Sequence, residues 1–164
     1  TLSSSSAASD VYKRQDLSTV PVRRRQGYPQ AFRPETAGYE GKKVGDAAGL
    51  TQFGVNRVVL PPQARTALRH WHEQEDEFVI VMSGEVVLRE EGGETVLRAG
   101  DCAGFRAGVE NGHAFENRTD ELVVLFEIGT RSPDETAHYP DVDLRYEKRD
   151  GVVTFVHRDG TAYE

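Results

Sequence analysis

From Phe53 onward the chain is a run of short β-forming segments broken by turn residues, and none carries the 3.6-residue repeat of an amphipathic helix. "FGVNRVVL" (53–60) stops at Pro61-Pro62, which cannot continue a hydrogen-bonded ladder. "EFVIVMS" (77–83) and "GEVVLRE" (84–90) follow, then "EGG" as a turn and "ETVLRAG" (94–100). "DCAGFRAG" (101–108), "HAFEN" (113–117) and "ELVVLFEIG" (121–129) complete the series. Strands at this spacing predict an all-β sandwich or barrel. A length of 164 residues suits one domain with a real core rather than two.

The barrel is expected over 51–130. Residues 16–50 are rich in Pro, Gly and charge and read as an extended arm with turns. Residues 131–164 read as a tail with one more strand, "VVTFVH" (152–157), packing on the barrel or on a dimer partner. The first fifteen residues, "TLSSSSAASDVYKRQ", have neither an initiator Met nor the apolar stretch of a signal peptide. "DVYKRQ" can be encoded by GAT GTG TAT AAG AGA CAG, which resembles a transposon-end sequencing adapter. Residues 1–15 are therefore expected to be a non-native, adapter-derived segment, with an ordinary leader as the alternative.

Residues 78–82 and 122–126 are apolar at every position, so both faces of these strands need cover. One face can line a barrel; the other predicts a homodimer or cover by arm or tail. The net charge of −7 argues against a nucleic-acid surface, and "RRR" at 23–25 is too short to reverse it. No apolar run is long enough for a transmembrane helix. The single cysteine, Cys102, cannot form an internal disulfide, so a cytoplasmic location is the default.

The chemistry-bearing stretch is "HWHEQEDEFVIVMSGE" (70–85). His70 and His72 are two apart and on a strand project to one side, where two imidazoles can grip one ion. Glu77 has the opposite parity, but "EQED" (73–76) can act as a turn that re-aims it at the histidines. Val79 and Val81 would then share its inward face, with Phe78 and Ile80 outward. His113 lies across several strands, with Phe115 and Asn117 on its face. A lone His-x-His in a charged turn is more often solvated, and Glu73, Glu75 and Asp76 read as loop residues. Asn56 shares the inward face of Gly54, Val58 and Leu60, and is either a ligand contact or a bonded core residue. Arg106 and Glu110 flank the loop before His113 and are candidates for the pocket mouth. Cys102 reads as a small buried residue. Trp71 and Arg69 fall outside the pocket by parity, and His138 and His157 read as surface or tail residues.

These residues resemble the cupin superfamily. Its first motif, G-x5-H-x-H-x3/4-E-x6-G, is met by His70, His72, Glu77 and Gly84, with Ala64 in place of the leading Gly. Its second, G-x5-P-x-G-x2-H-x3-N, is met by Gly100, Gly108, His113 and Asn117. Arg106 replaces the Pro, and "VENG" puts four residues rather than two before His113. With "GDAAGLTQFGV", "GTRSP", "YPDVDL" and "HRDGTAY", the pattern is similar to small single-domain bacterial cupins over nearly everything after residue 16. The resemblance implies a double-stranded β-helix, or jelly-roll barrel, holding one divalent metal ion through His70, His72, Glu77 and His113. Zn, Mn, Fe and Ni all accept such ligands. Pocket-lining candidates are Asn56, Phe115, Asn117 and Arg106, with a hydrogen bond holding the strand as the better reading of Asn117 than substrate contact. The expected function is a metal-dependent enzyme, oxygenase- or isomerase-like, on a small organic substrate. The alternative is a non-catalytic sugar- or metabolite-sensing module, and fold alone does not separate the two.

Overall fold

A computed structural model describes residues 16–24 and 27–163. The segment read as adapter-derived lies outside the described residues. Among the described residues thirteen strands form three antiparallel sheets. In chain order they are β1 (Arg23–Arg24), β2 (Glu40–Lys42), β3 (Phe53–Leu60), β4 (Trp71–His72), β5 (Glu77–Ser83), β6 (Glu85–Glu90), β7 (Gly93–Arg98), β8 (Cys102–Phe105), β9 (Ala114–Glu116), β10 (Val123–Thr130), β11 (Glu135–Tyr139), β12 (Leu144–Arg149) and β13 (Val152–Val156). The sheet orders are β1-β2-β3-β10-β5-β8, β13-β12-β11-β4 and β7-β6-β9. This is the all-β architecture expected from the strand series, in the jelly-roll form that the resemblance implied.

The inward face of the large sheet changes character along its length. Leu60 pairs with Val123 and Val58 with Leu125, while Leu125 also faces Val81. All are buried, and they join Val86, Leu88 and Phe115 of the three-stranded sheet in one core. Two residues further along, the same rows place Asn56 opposite Glu127, and Glu127 opposite Val79. One step beyond, Gly54 pairs with Gly129, and Gly129 with Glu77. The apolar end excludes water and stabilises the fold. The polar end, narrowed by no side chain at Gly54 or Gly129, opens as a cavity. Val79 and Val81 are inward and buried, as parity required, while Phe78 on the other face is 41% exposed.

The ends of the chain take a larger part than their composition suggested. In the arm, β2 pairs with β3, a 3-10 helix spans Gln30–Thr36 and a short α1 spans Val44–Ala47. The tail holds three strands, not one: β11, β12 and β13 form a meander, and β11 pairs with β4 through Ala137–His72 and His138–Trp71. The reason lies in side-chain chemistry. β12 satisfies its polar residues in ion pairs, Arg145 to Glu147 and Lys148 to Glu75, and so lacks a clean apolar alternation. Tyr28 of the arm and Tyr139 and Leu144 of the meander form a second core with Leu68.

Gly84 ends β5 at a φ of +82°, and a Cβ there would lie 2.9 Å from the Leu122 carbonyl. A glycine is required at this turn. Asn117 is fully buried, and its amide nitrogen donates to the Leu60 and Glu121 carbonyls at 2.9 and 2.8 Å. Its oxygen accepts from the Thr119 N–H and hydroxyl. The side chain therefore joins the ends of β3, β9 and β10. Asn117→Ala strips partners from these groups and should lower stability by roughly 2–4 kcal/mol. A urea midpoint that falls with unchanged slope would agree; an unmoved midpoint would show that the amide anchors nothing.

Candidate metal centre

His70 and His113 form a reciprocal backbone pair, His70 N–H to His113 C=O at 3.1 Å and His113 N–H to His70 C=O at 2.9 Å. This antiparallel bridge sets their imidazoles side by side, ring centroids 5.1 Å apart. His72, two residues on in β4, points to the same side, its ring centroid 4.9 Å from that of His70. The turn 73–76 returns the chain so that Glu77 opens β5 beneath them. One carboxylate oxygen, Glu77 Oε2, lies 2.8 Å from His113 Nε2, 3.5 Å from His72 Nε2 and 3.9 Å from His70 Nε2. Adjacent ligand atoms around an ion with bonds of about 2.0–2.1 Å stand roughly 3 Å apart, and these distances bracket that value.

The ring nitrogens are arranged for ligation. His70 Nδ1 donates to the Leu68 carbonyl at 2.9 Å, which directs the Nε2 lone pair towards Glu77. Phe105 stacks on His113 at 3.5 Å and Tyr139 on His70 at 5.6 Å, fixing both rings. Among the described residues, His72 is buried at both nitrogens without a hydrogen-bond partner, as is His113 at Nδ1. Buried imidazole nitrogens without partners are costly, and a cation drawing on the Nε2 lone pair would satisfy His72 there. His70, Glu77 and His113 each bring a ligand atom within 4.8 Å of the others and so could hold a divalent ion, with His72 Nε2 beside them, 3.5 Å from Glu77 Oε2.

Electrostatics agree with this crowding. Burial pushes the Glu77 carboxyl up, but the His113 hydrogen bond and the charges of His72, His70 and His113 overcome it and hold the group far below the usual carboxylate range. Burial pushes His72 down, and the carboxylates of Glu135, Glu77 and Glu75 more than offset it, so its pKa is raised. Glu135 is pushed up by burial and lowered more strongly by His72 and by the Gln74 and Glu73 amides.

The site opens into a cavity of about 730 Å³, whose wall includes Asn56, Phe115, Glu127, Arg131, Tyr139 and Lys148. Asn56 and Phe115 thus stand where the sequence placed them. Asn117 does not line it, because its amide is consumed in the strand junction. Arg106 is also outside it, lining a smaller pocket of about 240 Å³ with Trp71 and Phe105, on the other side of His72 and His113. Glu75 is no solvated loop acid: it is half-buried, bonded to Lys148 at 2.6 Å and to the Ser132 N–H. Cys102 is exposed, since its position on β8 faces outward, and does not fill the core. His138 lies in β11, stacked on Trp71 and bonded to Glu73.

The family model for the Cupin domain matches residues 56–129. The chain is 41% identical to a sugar phosphate isomerase of the cupin superfamily from Silicibacter pomeroyi, over 93% of this chain and 97% of that one, with a TM-score of 0.89. The chain belongs to the cupin superfamily. A structure from Acidithiobacillus ferrooxidans is 24% identical over 93% of this chain and 95% of that one, with a TM-score of 0.80. A polyketide cyclase from Streptomyces resistomycificus is 17% identical over 73% and 79%, with a TM-score of 0.59. These last two share the fold. No curated protein matches the sequence. No helix among the described residues is long and apolar enough to cross a membrane.

The pKa directions give the metal-free protein a definite pH profile. Glu77 and Glu135 are depressed, so their contribution is present above the ordinary value of about 4.5 and is lost as pH falls through their folded values. His72 is raised, so its contribution is present below about 6.5 and is lost as pH rises through its folded value. Thermal unfolding in chelator should therefore show greatest stability between about 4.5 and about 6.5. A melting temperature rising steadily from that window to alkaline pH would contradict the assigned interactions.

Proposed function

We propose that this protein is a metal-dependent isomerase of a small phosphorylated sugar, with His70, His72, Glu77 and His113 as the ligands of one divalent ion. The convergence of three imidazoles on one Glu77 oxygen at the floor of an open polar cavity carries this reading. Similarity to the sugar phosphate isomerase from Silicibacter pomeroyi supports the choice of substrate class. A bound Zn, Mn, Fe or Ni ion would supply a Lewis acid for a carbonyl or hydroxyl oxygen.

The remaining work falls to the wall. Asn56, on the inward face of β3, offers an amide to sugar hydroxyls. Arg131 and Lys148 supply positive charge for a phosphate, and at present they hold Asp46 and Glu75 respectively. Aldose–ketose interconversion moves one proton from the hydroxyl-bearing carbon to the neighbouring carbonyl carbon, and one from hydroxyl oxygen to carbonyl oxygen. Of the three wall carboxylates outside the ligand set, Asp46 is paired with Arg131, and the other two can hold the carbon-bound proton in transit. One is Glu75 beside Lys148; the other is Glu127, which accepts from the Tyr39 hydroxyl at 3.1 Å. The protein works as a homodimer in this reading, because pairing would cover Phe78, Met82 and Leu122, which are 41, 51 and 58% exposed.

Incubating the metal-loaded protein with aldose and ketose phosphates in deuterated water tests the reading. Interconversion of one pair, with deuterium entering the carbon beside the carbonyl, is expected. Saturable binding of a sugar phosphate without exchange or turnover would instead make the protein a sensing module.

A further inference from the structure

We infer that Glu135 is a positioning residue for the metal centre: it holds His72 in the ligating orientation from the side opposite the ion. This inference rests on the ligand set proposed above. Glu135 opens β11, beyond the residues matched by the family model, and is 0% exposed. Its carboxylate has two tasks. Oε1 accepts the Glu73 N–H at 2.9 Å and Oε2 the Gln74 N–H at 3.0 Å, so it grips the turn that carries the chain from His72 to Glu77. Oε1 also faces His72 Nδ1 at 3.7 Å, while His72 Nε2 faces Glu77 Oε2 at 3.5 Å.

At 3.7 Å the contact is longer than a hydrogen bond, and a small ring rotation closes it. Among the described residues no other acceptor serves His72 Nδ1, which is buried and has no hydrogen-bond partner there. A carboxylate there keeps the proton on Nδ1 and leaves the Nε2 lone pair for the ion, while raising its basicity. His70 gains the same tautomer from the Leu68 carbonyl, so two ligands are oriented by two different acceptors.

His72, Glu75 and Glu135 themselves bring one ligand atom each within 4.8 Å of one another. They do not make a second ion site, because the Lys148 ammonium already stands at Glu75 in the place a cation would take. Glu135 is bonded to two backbone amides, and Glu75 is bonded to Lys148 and the Ser132 N–H. The cluster is the support of the first site.

The test compares Co2+ and Zn2+ binding by the chelator-stripped full chain, its Glu135→Gln variant and a Glu73→Gln control. Glu73 removes a similar charge nearby but bonds His138 rather than His72. We expect Glu135→Gln to weaken binding by about 10–100-fold and to shift the visible absorption of bound Co2+. Glu73→Gln should stay within about twofold of the unaltered chain, far less than an outer-shell loss. Should Glu135→Gln not fold, Glu135→Asp, which withdraws the carboxylate but keeps its charge, should weaken binding in the same direction. Unchanged affinity and spectrum in the folded Glu135 variant, even with lowered thermal stability, would reduce Glu135 to a structural residue and overturn the inference. Equal weakening by Glu73→Gln would overturn it too, as a general charge effect. If the unaltered chain bound neither ion, the ligand assignment would fall, and this inference with it.

Discussion

The antiparallel bridge between His70 and His113 is the constraint on which the site depends. Each residue gives its N–H to the other's carbonyl, so two imidazoles more than forty positions apart are fixed in relative height and direction by main-chain bonds. Backbone bridges of this kind are stiff, which suits a ligand set whose geometry must hold before an ion arrives. The neighbouring turn completes it by delivering Glu77 under both rings. Sheet register, rather than any local motif geometry, therefore builds the centre.

A polar cavity inside a barrel works against stability, and the chain offsets this by dividing each strand. The Leu60–Val123 end of the inward face packs against Val86 and Phe115, while the Asn56–Glu127 end lines the cavity. Polar groups on the cavity side are held in pairs such as Lys148–Glu75 and Tyr39–Glu127. Those pairs come largely from the ends of the chain. The meander β11–β13 supplies Glu135 and Lys148, and the arm supplies Tyr39, so the ends act as walls of the site.

The fold was legible because β3, β5, β6 and β10 carry apolar residues at the period of a strand, bounded by Pro61-Pro62, Gly84 and "EGG". His70, Glu77 and His113, whose ligand atoms the structure brings together, and His72 beside them are the residues that strand parity and the motif resemblance single out. Of the meander only β13 was legible, as "VVTFVH"; β11 and β12 satisfy charged side chains by pairing with one another and with the 73–76 turn, and that pattern leaves no apolar period to read. Glu135 is a carboxylate among many in an acidic chain, and only the pairing of β11 with β4 shows that it is buried beside His72. The Asn117 amide is bonded in a strand junction, the reading favoured over ligand contact from its place at the end of the second motif, whereas Arg106 lines the smaller pocket beside His72 and His113 instead of the main cavity.

The most direct measurement is metal stoichiometry by elemental analysis, on protein purified without added metal and then equilibrated with Zn, Mn, Fe or Ni. The account predicts one ion per chain in the unaltered protein, and close to none in the folded double variant His70→Ala/His113→Ala. An unaltered chain that takes up no ion, or a double variant that keeps a full equivalent, would contradict it.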